Sequence, residues 1–220
     1  MDINWLDADY LPWLILFFPL LSFAIIVLFT ARYRVVSQAI AVGGIAISWL
    51  LSMVLFYRTV WESDVELGRE VFGSTLDWMS LGTQTFQMGV MVDPLTAYML
   101  LMVPLACLLI FIYSLGYMQG DPHVSRFFAY LSLFSGAMLT LVLADNLLML
   151  FIGWEVMGFC SYSLIGFWAH KRTAMEAGVK AFMTTRVADV LMLVGIGYLF
   201  VQAWSYLGVP TLNFRDILYN

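Results

Sequence analysis

Four ionisable side chains, Glu155, Lys180, Arg186 and Asp189, lie inside two long apolar stretches, LLMLFIGWEVMGFCSYSLIGFW and AGVKAFMTTRVADVLMLVGIGYLF. A charge at the centre of a membrane helix costs roughly 2.5–3.5 kcal/mol on insertion scales, so residues kept there are candidates for function. The chemistry they suit is proton relay. A carboxyl group surrounded by hydrocarbon keeps its proton, and an approaching cation restores its charge. Glu155 stands nine residues beyond Asn146, about 14 Å along a helix axis. That is close to the middle of a hydrocarbon layer about 30 Å thick. Gly158, Tyr162 and Gly166 share its face. The glycines allow close helix contact or a file of water, and Tyr162 has a hydroxyl to offer that water. Arg186 and Asp189 are three apart, a spacing that lets them pair on one helix surface. That pair serves either the relay or helix packing alone. Lys180 either joins the relay or snorkels to the nearer interface.

Stepping these residues into position requires helices that cross a membrane, and the composition supplies them. The 220 residues are 62% hydrophobic and 11% charged, against about half and about a quarter in a soluble domain. The expected fold is an all-α polytopic membrane protein of six transmembrane helices. After an outer N-terminal segment, 1–10, helices one and two occupy 11–57, about Leu11–Thr30 and Val36–Tyr57. Gly43, Gly44, Ala46 and Ser48 suit close packing in lipid. An outer loop, 58–92, carries alternating apolar residues, Leu76 and Trp78, then Phe86, Met88, Val90 and Val92. This alternation predicts a β-hairpin between helices two and three, turning near Leu81–Thr83. Helix three takes 93–117, with Asp93 as cap and Pro94 in the first turn. Helices four to six take 125–204, with helix five running to about Trp168. Ala144–Asn146 forms a tight outer turn, and Thr173 with Glu176 has capping-box spacing at the start of helix six. Residues 205–220 form an outer loop.

Net charge is −5, with no basic patch for nucleic acid. Cys107 and Cys160 stand alone, His123 and His170 lack ligand spacing, and there is no G-x-G-x-x-G, so no cofactor is expected in this chain. The first apolar run follows Asp2, Asp7 and Asp9 rather than a basic region, which predicts a permanent helix, not a cleaved signal. The turns after helices one, three and five hold Arg32, Arg34, Arg126, Lys171 and Arg172. By the positive-inside rule these turns are cytoplasmic, and both termini and the hairpin are outside.

The runs ADNLLMLFIGWEVMGFCSYSLIGFW, KAFMTTRVADV and TLNFRD, with SRFFAYLSLFSGAML and DPLTAYML before them, resemble the NuoL-type antiporter-like subunit of respiratory complex I, the NADH:quinone oxidoreductase. The resemblance covers essentially the whole chain. It implies a membrane-arm subunit that moves protons as quinone is reduced elsewhere. Other membrane-arm subunits would be its partners, a bacterial inner (plasma) membrane its location, and the lipid bilayer its solvent. In that family the helix-five glutamate transfers protons, and Glu155 matches it. Arg186 and Asp189 match residues held near it, and Lys180 aligns within a family motif. Family members are about three times longer, with two inverted five-helix repeats of the kind common in transporters. This chain therefore corresponds to their N-terminal part, without the helix-seven lysine that partners the glutamate. A fragment, a split subunit completed by a second chain, and a truncated scaffold all fit, as does a subunit of a Mrp-type cation/proton antiporter.

Overall fold

A computed structural model describes residues 10–62, 72–81, 84–208 and 211–219. Helix α1, Leu11–Ile25, continues into a π-helical turn, Ile26–Thr30, and α2, Arg34–Tyr57, continues into a second, Arg58–Glu62. Strands β1, Phe72–Leu81, and β2, Gln84–Val92, form an antiparallel hairpin. Then follow α3, Pro94–Tyr117, α4, Val124–Leu143, α5, Leu147–Ile165, α6, Arg172–Leu207, and a short α7, Phe214–Tyr219. Helices α1 to α6 are long and apolar enough to cross a membrane.

Local chemistry sets several boundaries. Asp93 caps α3 by accepting from the Thr96 N–H at 2.6 Å, with Pro94 in the first turn. Asn146 caps α5 by accepting from the Met149 N–H at 2.7 Å. Pro19 and Pro104 lie inside continuous helices. The hairpin pairs Phe72 with Val92 through to Leu81 with Gln84, with a bulge between Asp77 and Met79. Gly82 and Thr83, within the expected turn, lie outside the described residues, as do residues 1–9 and 63–71.

Helices α1 to α4 pack together, α5 lies on α4, and α6 lies on α5. At the hairpin end the core joins Leu11, Ile15, Val90, Leu100, Leu139 and Leu143; at the other it joins Ile26, Ile45, Phe111, Met118 and Phe128. Close helix contact is made by small residues. A Cβ on Gly44 would collide with Ser22. The Ser48 hydroxyl, fully buried, donates to the Ile15 carbonyl at 2.8 Å, because hydrocarbon offers a buried hydroxyl no other partner.

Three expectations fail. Thr173 and Glu176 do not form a capping box: α6 starts two residues earlier than that cap would place it, Lys171 gives no side-chain cap, and Glu176 accepts from Arg172 at 2.6 Å. The i,i+4 ion pair takes the carboxylate that the box requires. Helix α5 ends at Ile165, not Trp168, because Gly166 closes it with its N–H on the Tyr162 carbonyl at 2.9 Å. Residues 205–220 are not all loop. Helix α6 runs to Leu207 before Gly208, at φ 73°, stops it in the left-handed region that favours glycine. Helix α7 then forms where Thr211 donates to Asp216 at 2.6 Å.

Candidate functional site

Helices α5 and α6 run antiparallel, and two glycines bring them into close contact. A Cβ on Gly178 would lie 3.3 Å from the Gly166 Cα and from the Tyr162 carbonyl oxygen. Further along this contact, Glu155 of α5 and Arg186 of α6 form an ion pair. The Arg186 Nη1 is also 3.6 Å from Asp189 Oδ2. Two carboxylates thus share one guanidinium, and the group is one proton short of neutrality. Asp189 is nearly enclosed, with 7% of its side chain exposed, against 26% for Glu155 and 29% for Arg186. The guanidinium lies over the Phe182 ring, 4.7 Å from its centroid, and Arg186 Nε is buried without a hydrogen-bond partner among the described residues.

Of the four sequence candidates, the structure joins Glu155, Arg186 and Asp189. Lys180 is exposed on α6 and makes no ion pair among the described residues. Tyr162 packs its ring on Phe182, centroids 5.1 Å apart. Gly166 makes the close contact expected of it, while a Cβ on Gly158 would meet open space.

One participant in the site and one anchoring residue outside it escaped sequence reading. The Trp154 indole N–H donates to Asp189 Oδ1 at 2.8 Å, completing a ring of four side chains with neighbours Trp154 and Glu155 on α5. An indole N–H inside an apolar stretch needs an acceptor, and this was the available signal. The other is Asp145, 7% exposed, in the turn before α5. Its carboxylate accepts from the Gly89 N–H at 3.1 Å and from Asn146 Nδ2 at 2.6 Å. Asn146 Nδ2 also donates to the Gln87 carbonyl at 2.9 Å. The Phe214 N–H donates to the Asp145 carbonyl at 2.9 Å. One turn therefore ties the hairpin, the start of α5 and the C-terminal segment together. Burial pushes the Asp145 carboxyl above its ordinary range, against the pull of these donors and of Arg215.

A bundle of membrane-length helices with a shared-arginine carboxylate pair between two of them defines a polytopic membrane protein with an intramembrane ion-pair centre. Comparison with known proteins specifies the family. The family described as NADH-Ubiquinone oxidoreductase (complex I), chain 5 N-terminus, matches residues 78–128. That described as NADH:quinone oxidoreductase/Mrp antiporter, TM, matches residues 144–220. The chain is 39% identical over 201 residues to NAD(P)H-quinone oxidoreductase chain 5 of Picosynechococcus sp., covering 88% of this chain and 29% of that protein. It is 37% identical over 182 residues to NADH-quinone oxidoreductase subunit L of Rickettsia conorii, covering 83% of this chain and 26% of that one. It is 40% identical over 178 residues to F(420)H(2) dehydrogenase subunit L of Methanosarcina mazei, covering 81% and 25%. The chain belongs to the family of NuoL-type membrane subunits of complex I. It spans between a quarter and a third of the length of these relatives.

Proposed function

We propose that the chain works as part of a membrane-arm subunit of a proton-pumping quinone oxidoreductase, with Glu155 as a proton-transfer group. The observation that carries this is the sharing of Arg186 between Glu155 and Asp189. While Arg186 stays on Glu155, the glutamate is held as a carboxylate. When it moves toward Asp189, Glu155 loses its counter-charge and takes a proton, since an uncompensated carboxylate is costly in hydrocarbon. Arg186 is the switch, Asp189 its alternative seat, and Lys180 a mobile cation that serves as proton carrier or snorkels to the interface. Electron transfer belongs to other subunits of the same complex, and other membrane-arm subunits are its partners in the bilayer. The relatives' names include NADH, NAD(P)H and F(420)H(2) as donors. That variety supports a role for this membrane part that is independent of the donor.

The basic turns face the cytoplasm in this reading, and both termini and the hairpin face the outside of a bacterial inner membrane. The test is Glu155→Gln in the assembled complex, measuring protons moved per electron. The ratio should fall while the complex still assembles. Full assembly with an unchanged ratio refutes the role.

A further inference from the structure

A groove of about 550 Å³ opens between the end of α1 and helices α4 and α5. Its inner part is apolar, with Phe23, Val27, Leu133 and Phe159 among its walls, and its outer end is polar, with His123, Ser125 and Arg126. From Ser125 to Leu133 the wall follows α4 for eight residues, about 12 Å into the membrane. The π-helical turn Ile26–Thr30 contributes Ile26 and Val27.

Two independent observations point to a ligand. First, Ser125 is 6% exposed, yet its hydroxyl has no hydrogen-bond partner among the described residues. On the same helix Ser135 returns its hydroxyl to the Leu131 carbonyl at 3.0 Å, while Ser132, away from the groove, shares the lack of a partner among the described residues. An orphaned buried hydroxyl is costly, and Ser125 is one of the residues that line the groove. Second, the mouth is basic. Arg126 spends one N–H on the Phe167 carbonyl at 3.0 Å, of the five its guanidinium carries. His123, which also lines this end, is exposed. The acid nearby is Asp121, whose carboxylate accepts from the His123 N–H at 2.7 Å and from Trp168 Nε1 at 2.8 Å.

A cationic mouth with an unpartnered donor, leading to an apolar slot at the membrane–water boundary, suits a ligand with an anionic head and a hydrocarbon tail. We propose that this groove holds one anionic phospholipid, its phosphate against Ser125, His123 and Arg126 and an acyl chain along Val27, Leu133 and Phe159. Nothing in this depends on the proton-transfer reading of Glu155.

The test is native mass spectrometry of the assembled complex after detergent delipidation, with phosphatidylglycerol and phosphatidylcholine of matched chains added back. The complex should retain phosphatidylglycerol over phosphatidylcholine by about fivefold for each basic contact. Ser125→Ala and the exposed His123→Gln should each reduce that preference. Val27→Trp, on the open side of the groove, should reduce retention of both lipids. Equal retention of the two lipids overturns the proposal, as does a Val27→Trp complex that keeps its lipid. Displacement by excess inorganic phosphate marks a free-anion site instead. A complex that retains no lipid there, and that Val27→Trp prevents from assembling, has a protein segment in the groove; either outcome also overturns it.

Discussion

Replacing Trp154 by phenylalanine keeps an aromatic ring on α5 and removes the indole N–H that Asp189 accepts at 2.8 Å. Hydrogen bonds between membrane helices average about 0.6 kcal/mol and reach about 1.7, while those to a charged group in proteins are worth about 1.5–3. Asp189 decides between these ranges. Its side chain is 7% exposed, and Arg186 at 3.6 Å is beyond hydrogen-bond range. Trp154 is therefore its one side-chain donor among the described residues. The expected coupling between Trp154 and Asp189 is about 1.5 kcal/mol, near the top of the membrane range. The assay is a double-mutant cycle of Trp154→Phe, Asp189→Asn and the pair, by unfolding in mixed micelles. The same variants in the assembled complex are read for protons per electron. With the indole gone, Asp189 draws Arg186 from Glu155, so the ratio should fall while quinone reduction continues. A coupling below about 0.5 kcal/mol, no better than the membrane average, together with an unchanged ratio, refutes the reasoning.

Three further outcomes follow from the same geometry. Gly178→Val forces α6 away from Gly166 and the Tyr162 carbonyl, so proton transfer and assembled yield should both fall; Gly158→Ala, facing open space, should leave both unchanged. Asn146→Ala removes a helix cap worth about 1 kcal/mol along with donors to Gln87 and Asp145, and should lower the unfolding midpoint. The Trp168 indole, then the His123 backbone N–H, hold the Asp121 carboxyl below its ordinary range. A folded-state pKa below the unfolded one stabilises above about pH 4 and is lost as pH falls. Asp121→Asn should therefore flatten the acid limb of stability, measured as the unfolding midpoint between about pH 6 and about pH 3.

The six spans were legible because apolar length alone specifies a membrane helix, and Asp93 with Pro94 marked the start of α3 to the residue. The hairpin was legible because Met88, Val90 and Val92 alternate, a period that no helix satisfies. What escaped depends on contacts between distant segments. The partnership of Asp145 with Gly89 crosses 56 positions and leaves no local mark. Glu176 has the spacing of a capping residue, and only the structure shows it taken by Arg172. Within the site, spacing suggested Arg186 with Asp189, whereas Arg186 makes its closer contact with Glu155 on the neighbouring helix. Intrahelical arithmetic cannot rank a partner across an interface.

The glycine contact between α5 and α6 also sets a mechanical scale. Helix α6 touches α5 and little else among the described residues, and Gly178 packs closely against Gly166. Arg186 lies eight residues beyond that fulcrum, a lever arm of about 12 Å. Tilting the arm by about 5° displaces the guanidinium by about 1 Å over that length. Such a displacement is on the scale that separates a contact ion pair from one that admits a water. On the proposed role of Glu155, a rigid tilt of α6 would alter its ion pair with Arg186 without unwinding the helix.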